Sequence, residues 1–317
     1  MLHRLKCAQT LATTRNFHRA ALLLDISQPH LTRIIKSLEK DLGIVLFERG
    51  PQGVTVTPDG ARVLREAAIL LKAEETFGRK VTAIRSRSSE ELTVAVGAFI
   101  SQSWASAAVT TLSGTHPEVA ISLRELDWWK LADAALSDEF DLAIGELSEA
   151  ERNAEIATEG FPERDGCIVV RAGHQLAGRN DVTLEEVSQF PLAAPRLPGR
   201  IAQVLPPSSK LGHISGDGRY FIPMIECATP RSMIDVVVAS NAVCMTLRQL
   251  CAEQLKNGAV MELPLHPPWL RVRQGIMYRR GRRLSPAAMA FRAVAKRAES
   301  KYFSQRATSE RHHIRSR

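Results

Sequence analysis

Residues 15–64 read RNFHRAALLLDISQPHLTRIIKSLEKDLGIVLFERGPQGVTVTPDGARVL, and the rest of the chain is read outward from them. Phe17, Ala20, Ala21 and Leu24 recur at helical spacing. Asp25-Ile26 then turns the chain, Ser27 suits an N-cap, and Pro29 falls in a first helical turn, where proline is tolerated. In the next predicted helix Leu31, Ile34, Ile35, Leu38 and Leu42 share one face, and Gly43 suits the position just past the end. The other face shows Gln28, His30, Thr32, Arg33, Lys36 and Lys40. Two helices joined by a short turn, the second polar and basic outside, fit a helix-turn-helix. On this pattern alone a solvated amphipathic surface would look the same.

The chemistry of the outer face divides into roles. Gln28 and Arg33 present paired donor or acceptor atoms in a fixed plane and suit base edges. Ser27, Thr32, Lys36 and the helix N-terminus suit phosphates. His30 suits either a base or the backbone. Ile44 to Arg49 then reads as a strand, Gly50 to Gly53 as a turn and Val54 to Thr57 as a second strand. A β-hairpin directly after the second helix is a wing, whose Arg49 and Gln52 would follow the phosphates or enter the minor groove. The expected DNA-contact set is Ser27, Gln28, Pro29, His30, Thr32, Arg33, Lys36, Arg49 and Gln52.

Charge agrees with a polyanion bound at one end. The net charge is +8 over 317 residues. Residues 1–90 carry 15 Lys/Arg against nine Asp/Glu, residues 91–300 carry 22 against 24, and residues 301–317 five against one. That last stretch, polar and poor in apolar residues, is expected to be a disordered basic tail.

Thr57 can cap a long helix with Pro58 in its first position. Leu64, Ala67, Ala68 and Leu71 recur at helical spacing, and Val81 and Ile84 continue the stripe until the polar run RSRSS at 85–89. Such a helix, expected over 58–89, must bury its stripe, and a second copy of itself is the simplest partner. From 91 to 300 strand-like and helical runs alternate, the pattern of an α/β fold with largely parallel strands.

The quoted run resembles the DNA-binding domain of LysR-type transcriptional regulators. Phe17, Ala20-Ala21, Leu24, Ser27-Gln28-Pro29, Leu31, Ile35, Leu38-Glu39, Leu42-Gly43, Leu46-Phe47-Glu48-Arg49 and Thr57-Pro58-Asp59-Gly60 match in unbroken order. His18 stands where the family usually has Ser or Thr, which implies a poorer cap for the first motif helix. His30 replaces a common small residue. The resemblance implies a winged helix-turn-helix over 1–60 (motif helices about 17–42), a dimerising linker helix, and an effector domain over 91–300. That domain would hold two α/β subdomains similar to periplasmic binding proteins, residues 91–161 with 267–300 and residues 162–266. It also implies double-stranded promoter DNA and a small-molecule effector as partners, a homodimer assembling into a homotetramer, and RNA polymerase as a further candidate partner.

Within 91–300, Leu92 to Ala98, Asp141 to Gly145, Ile168 to Val170, Leu192 to Ala194 and the run RQGIMYRRG read as strands, and Ser285-Pro286 opens the last helix. Ligands of such folds sit at strand ends facing helix N-termini. This singles out Ser101, Gln102, Thr229 and Arg231, with Arg196 and Arg200 as charge partners, and an organic anion as the effector; capping alone would also explain Ser101 and Thr229. Trp104, Trp128 and Trp129 are cleft or core residues.

An enzyme is the rival class, but GxSxG, HExxH, a P-loop and a clean GxGxxG are all missing. Cys7, Cys167, Cys227, Cys244 and Cys251 form no CxxC pair, and no cysteine falls in 194–215, where redox-sensing relatives place one. No metal or cofactor is expected. With no secretory signal pattern at the N-terminus and no apolar run of bilayer length, the chain is expected in the cytoplasm, on the nucleoid rather than a membrane.

Overall fold

Met1 to Arg87 forms one unit and Ser88 to Arg317 another in this computed structural model, which describes residues 1–50, 53–86, 90–206 and 210–314. The first unit begins with α1 (Leu2–Thr14), which buries Leu5, Cys7, Ala8 and Leu11. Helix α2 (Phe17–Leu23) follows, capped by Asn16, whose side chain accepts the Arg19 N–H at 3.0 Å. The expectation of a weakened cap is therefore corrected: His18 lies inside the helix and the capping oxygen comes from two residues earlier. Asp25, at φ 54°, makes the turn. Ser27 accepts the His30 N–H and starts α3 (Gln28–Leu42), and Gly43 at φ 66° ends it in the left-handed region that favours glycine.

Leu31, Ile34, Ile35 and Leu38 pack with Phe17, Ala20 and Leu11 into the core of this unit. Strands β1 (Phe47–Gly50) and β2 (Gly53–Val56) pair antiparallel, so the wing's first strand starts later than Ile44. Thr57 donates to the Val45 carbonyl at 2.7 Å and accepts the Gly60 N–H at 2.8 Å, opening α4 (Pro58–Ser86). The apolar stripe of α4 differs from its expected use. Leu64 and Ala67 are buried in the unit's own core; among the described side chains of α4 the exposed large apolar ones are Ile69, Leu70 and Phe77, and the side chain of Ile84 lies outside the described residues.

The second unit is built on a five-stranded sheet. Its chain runs through β3 (Glu91–Gly97), α5 (Ala98–Ser101), α6 (Ala105–Thr115), β4 (Ala120–Leu126), α7 (Leu131–Leu136), β5 (Leu142–Glu146) and β6 (Ile156–Gly160). It then leaves through β7 (Arg164–Asp165) into a second lobe: β8 (Cys167–Arg171), α8 (Leu184–Val187), β9 (Ala193–Ala194), β10 (Leu197–Pro198), α9 (Gly199–Ala202), β11 (Gly212–Ile214), β12 (Tyr220–Pro223), β13 (Ile225–Glu226), α10 (Pro230–Ala239), β14 (Cys244–Thr246), α11 (Ala252–Lys256) and β15 (Val260–Glu262). It returns through β16 (Arg271–Val272) to β17 (Gln274–Arg279) and α12 (Pro286–Ile314). Strands β7 and β16 pair antiparallel, so both crossings lie side by side.

The first lobe's sheet has the order β4-β3-β5-β17-β6. Strand alternation sorts its faces: Leu92, Val94 and Val96 meet Leu112 and Phe291 on one side, while Ala95 meets Leu131 and Met277 on the other. The pairs of β3 with β4 and β5 are parallel, but β17 is antiparallel to both β5 and β6, and β8 is antiparallel to β14 and β15. The sheets are thus mixed rather than largely parallel, because β17 enters from a 100-residue-scale excursion instead of a helical crossover.

The expectation of a disordered tail from residue 301 is corrected as far as Ile314, where α12 ends; the rest of that tail, 315–317, lies outside the described residues. Tyr302 and Phe303 stack edge to face at 5.1 Å, and Phe303 is buried under the Arg164 guanidinium at 4.3 Å. Two aromatic anchors past residue 300 give this end the apolar contact that its composition as a whole conceals.

Candidate functional site

Two surfaces carry the chemistry, one in each unit. On the first, the apolar face of α3 is fully used in the core, which leaves Ser27, Gln28, Pro29, His30, Arg33 and Lys36 exposed and Thr32 half-buried. These expected contacts lie on α3 and its N-cap Ser27. Arg49 sits in β1, and Gln52 lies outside the described residues. Two positioning residues lacked a clear signal in the sequence. Glu39 Oε1 accepts the N–H groups of Leu46 and Phe47 at 2.8 and 3.1 Å, tying the back of α3 to the start of the wing. Arg4 of α1 donates to Ser37 at 3.0 Å and to Asp41 at 2.6 Å, bracing α3 from the other side.

The second surface is a cavity of about 630 Å³ between the lobes of the second unit. It opens at the C-terminal ends of β3 and β5 and faces Arg196, Arg200, Cys227 and Thr246 from the other lobe. Phe99, Trp128, Trp129, Ile201 and Met245 make its apolar wall. Trp128 donates its indole N–H to the Arg196 carbonyl at 2.6 Å, and the Arg196 guanidinium lies 4.9 Å from the Trp129 ring. Trp104 is a core residue instead, edge-on to Phe161 at 5.5 Å.

Of the expected ligand contacts, Arg196 and Arg200 line this cavity. Thr229 is spent on a capping box with Ser232 at the start of α10. Gln102 Oε1 accepts the Arg231 N–H at 3.3 Å, while the Arg231 side chain pairs with Asp235 at 3.0 Å. The structure therefore brings Gln102, Thr229 and Arg231 together as a lobe-to-lobe contact, and Ser101 at the end of α5 stands outside the lining. The helix N-terminus expected to meet a ligand has its donors satisfied by protein groups.

Glu146 and Arg200 form the polar end of the cavity. Arg200 Nη2 donates to the Arg271 carbonyl at 2.8 Å and stands 3.5 Å from Glu146 Oε1, which also accepts the Ser148 hydroxyl at 2.5 Å. Burial pushes the Glu146 carboxyl above its ordinary value, against the pull of Ser148 and Arg200. All five cysteines are buried and free. Burial raises the thiols of Cys7, Cys227 and Cys244, and a hydrogen bond with Cys251 followed by burial raises Cys167, so these sulfurs hold their protons. Among the described residues no group of three or more His, Cys, Asp or Glu could hold a metal ion, and no helix is long and apolar enough to cross a membrane.

Comparison with known proteins places both surfaces in a family context. Residues 2–61 match the family model described as bacterial regulatory helix-turn-helix protein, lysR family, and residues 85–300 match the LysR substrate binding domain. The SDS degradation transcriptional activation protein of Pseudomonas sp. (strain ATCC 19151) is 30% identical over 92% of this chain and 94% of its own length. The HTH-type transcriptional regulator GbpR of Azospirillum brasilense is 26% identical over 90% of this chain and 82% of its own. In fold the chain is similar to full-length CbnR complexed with its target DNA, with a TM-score of 0.66 and 17% identity, covering 94% of this chain and 99% of that one.

Proposed function

The chain belongs to the LysR family of bacterial transcriptional regulators, and on that premise we propose that α3 reads promoter DNA while the interlobe cavity holds the effector. It is a DNA-binding regulator with a helix-turn-helix and a substrate-binding domain. The exposed polar face of α3 carries the reading: Gln28 and Arg33 read base edges, and Ser27, Thr32 and Lys36 hold phosphates. Pro29 and His30 lie against the DNA in the first turn of α3, and Arg49 and Gln52 extend the contact from the wing.

The effector is an organic anion, a reading supported by the cationic groups of the cavity and by a relative named for degradation of SDS, itself an organic anion. Arg196 meets it directly, and Ser101, Gln102, Thr229 and Arg231 report its arrival by making or breaking the lobe-to-lobe contact. Regulation rather than turnover is the task of this cavity. Two copies pair through Ile69, Leu70 and Phe77 of α4, dimers pair into tetramers, and RNA polymerase is met from the DNA-bound state in the cytoplasm.

Footprinting the intergenic DNA beside the gene tests the first part. Arg33→Ala should lower affinity for the footprinted site roughly ten- to hundredfold, with circular dichroism unchanged. An Arg33→Ala protein that holds the site as tightly as the parent refutes the base-reading role.

A further inference from the structure

The chain passes from α1 to α2 through a residue whose backbone and side chain are at odds. Arg15, the C-cap of α1, sits at φ 51° and ψ 21°, in the left-handed region. A Cβ crowds the backbone there, so glycine is the favoured residue at such a helix end. Helix α3 ends in the same conformation on Gly43, at φ 66°. Among the described residues only Arg15 and Asp25 have a positive φ without being glycine, and a short aspartate tolerates that conformation better than an arginine does. A long cation thus stands where the backbone favours no side chain at all.

The backbone of Arg15 is fully engaged and its side chain is not. Its N–H donates to the Leu11 carbonyl at 2.8 Å, and its carbonyl accepts the Val54 N–H at 3.2 Å. The residue is exposed, and its guanidinium has no hydrogen bond, ion pair or ring contact among the described residues. Other cations of this unit are answered by acids: Arg4 by Asp41 at 2.6 Å and Arg62 by Asp59 at 3.4 Å. The bond from Val54 fixes where this cation stands. Val54 belongs to β2 and lies opposite Arg49 in the register of the wing, so Arg15 adjoins the edge of β2 that β1 leaves open. A duplex whose groove holds α3 brings its phosphates alongside the wing.

We propose that Arg15 is a phosphate-contact residue, a further DNA-binding position outside the outer face of α3 and the tip of the wing. The proposal rests on α3 lying in the groove. The left-handed backbone is tolerated because the side chain it carries answers the polyanion. A cation at this end of α1 also suits the helix dipole. That role acts on stability and is blind to DNA, so one experiment separates the two.

Fluorescence anisotropy of the full chain on the footprinted site and on a shuffled duplex of equal length, across about 50 to 200 mM salt, tests this. Arg15→Gly removes the charge and relaxes the backbone. It should bind both duplexes about fivefold or more weakly at about 0.1 M salt, with a salt slope shallower by about 0.9. Its melting temperature should equal or exceed that of the parent. Arg15→Asn, which also tolerates the left-handed region, should match Arg15→Gly in binding, and Arg15→Lys should keep the parent's slope. An unchanged slope in Arg15→Gly overturns the proposal, and a lower melting temperature with unchanged affinity assigns the residue to the dipole instead. A loss confined to the footprinted site overturns it too, since a phosphate contact weakens both duplexes alike. Arg33→Ala in the same assay keeps the two readings apart. If it loses the footprinted site while Arg15→Gly binds as the parent does, only the role of Arg15 falls. If neither variant changes binding, the placement of α3 falls with it.

Discussion

At the scale of single residues, Gly60 shows how closely this wing and helix are fitted. A Cβ built there would lie 2.4 Å from the Leu46 carbonyl oxygen and 2.9 Å from the Thr57 hydroxyl, whereas one at Gly78 in the same helix meets nothing within 4 Å. Two Gly→Ala changes in one helix should therefore have opposite signs. Gly60→Ala should destabilise the first unit by about 1–3 kcal/mol through overpacking, and Gly78→Ala should stabilise the helix by up to about 1 kcal/mol. Chemical denaturation of the full-length variants reads both, and equal effects would show that propensity alone decides. The residue type at Gly60 was visible in the sequence as part of Thr57-Pro58-Asp59-Gly60. Its reason was not, because the atom it must avoid belongs to the backbone 14 residues away.

At the scale of elements, α3 was legible almost to the residue. Its cap, stripe and terminal glycine are local features, set by 3.6-residue periodicity and by the chemistry of helix ends. Helix α12 was not legible past residue 300. Its last buried turn depends on a partner far away in sequence, since Arg164 Nη2 pairs with Glu299 at 2.7 Å and its guanidinium covers Phe303. Glu299 is 4% exposed in its side chain, so removing the cation leaves a buried charge without its counterion. Arg164→Met should cost about 3 kcal/mol, the low end for a buried pair because Arg164 keeps some water contact. It should also speed proteolysis within the C-terminal turns of α12. Adding Glu299→Gln should restore part of the loss, and additive losses in the double variant would dissociate the pair from the docking of the helix.

At the scale of the whole molecule, the second unit is two lobes held by few but specific contacts. Arg219 pairs with Glu149 at 2.5 Å, Trp128 with the Arg196 carbonyl, and Gln102 with the Arg231 N–H, each joining residues that sit in different lobes. Within the second lobe His174 ties two loops together. Its Nδ1 accepts the Leu176 N–H at 3.2 Å, so the proton belongs on Nε2, which faces the Asn241 carbonyl at 3.3 Å. Burial lowers its pKa from the ordinary 6.5, opposed by the Asn241 contact and helped by Arg171. The unfolded chain then binds this proton at a higher pH than the folded one. Stability should be fully present above about pH 6.5 and fall as the pH drops through the window between the unfolded and folded values. Thermal unfolding at pH 7.5, 6.5 and 5.5 should show a steeper fall for the parent than for His174→Gln. Parallel curves would assign the acid sensitivity to other groups.

What the sequence determined by itself was whatever depends on near neighbours: the helix-turn-helix, the caps, the alternation of β3 and the breaks at Gly43 and Pro58. Those features arise from periodicity and local hydrogen bonding, while the core of the helix-turn-helix is completed by Leu5, Cys7, Ala8 and Leu11 of α1. What only the tertiary structure decided was the cavity. Gly97, Glu146, Arg200, Thr246 and Arg271 come from segments up to 174 positions apart, and they meet because β7 and β16 lead the chain out of one lobe and back beside itself. Sequence reasoning placed the ligand at helix N-termini, where donors are normally free, with Arg196 and Arg200 as charge partners. The fold satisfied those donors with Thr229 and Gln102 and brought Arg196 and Arg200 to the cavity instead. Which polar groups go unpartnered is a property of packing, and no local pattern records it.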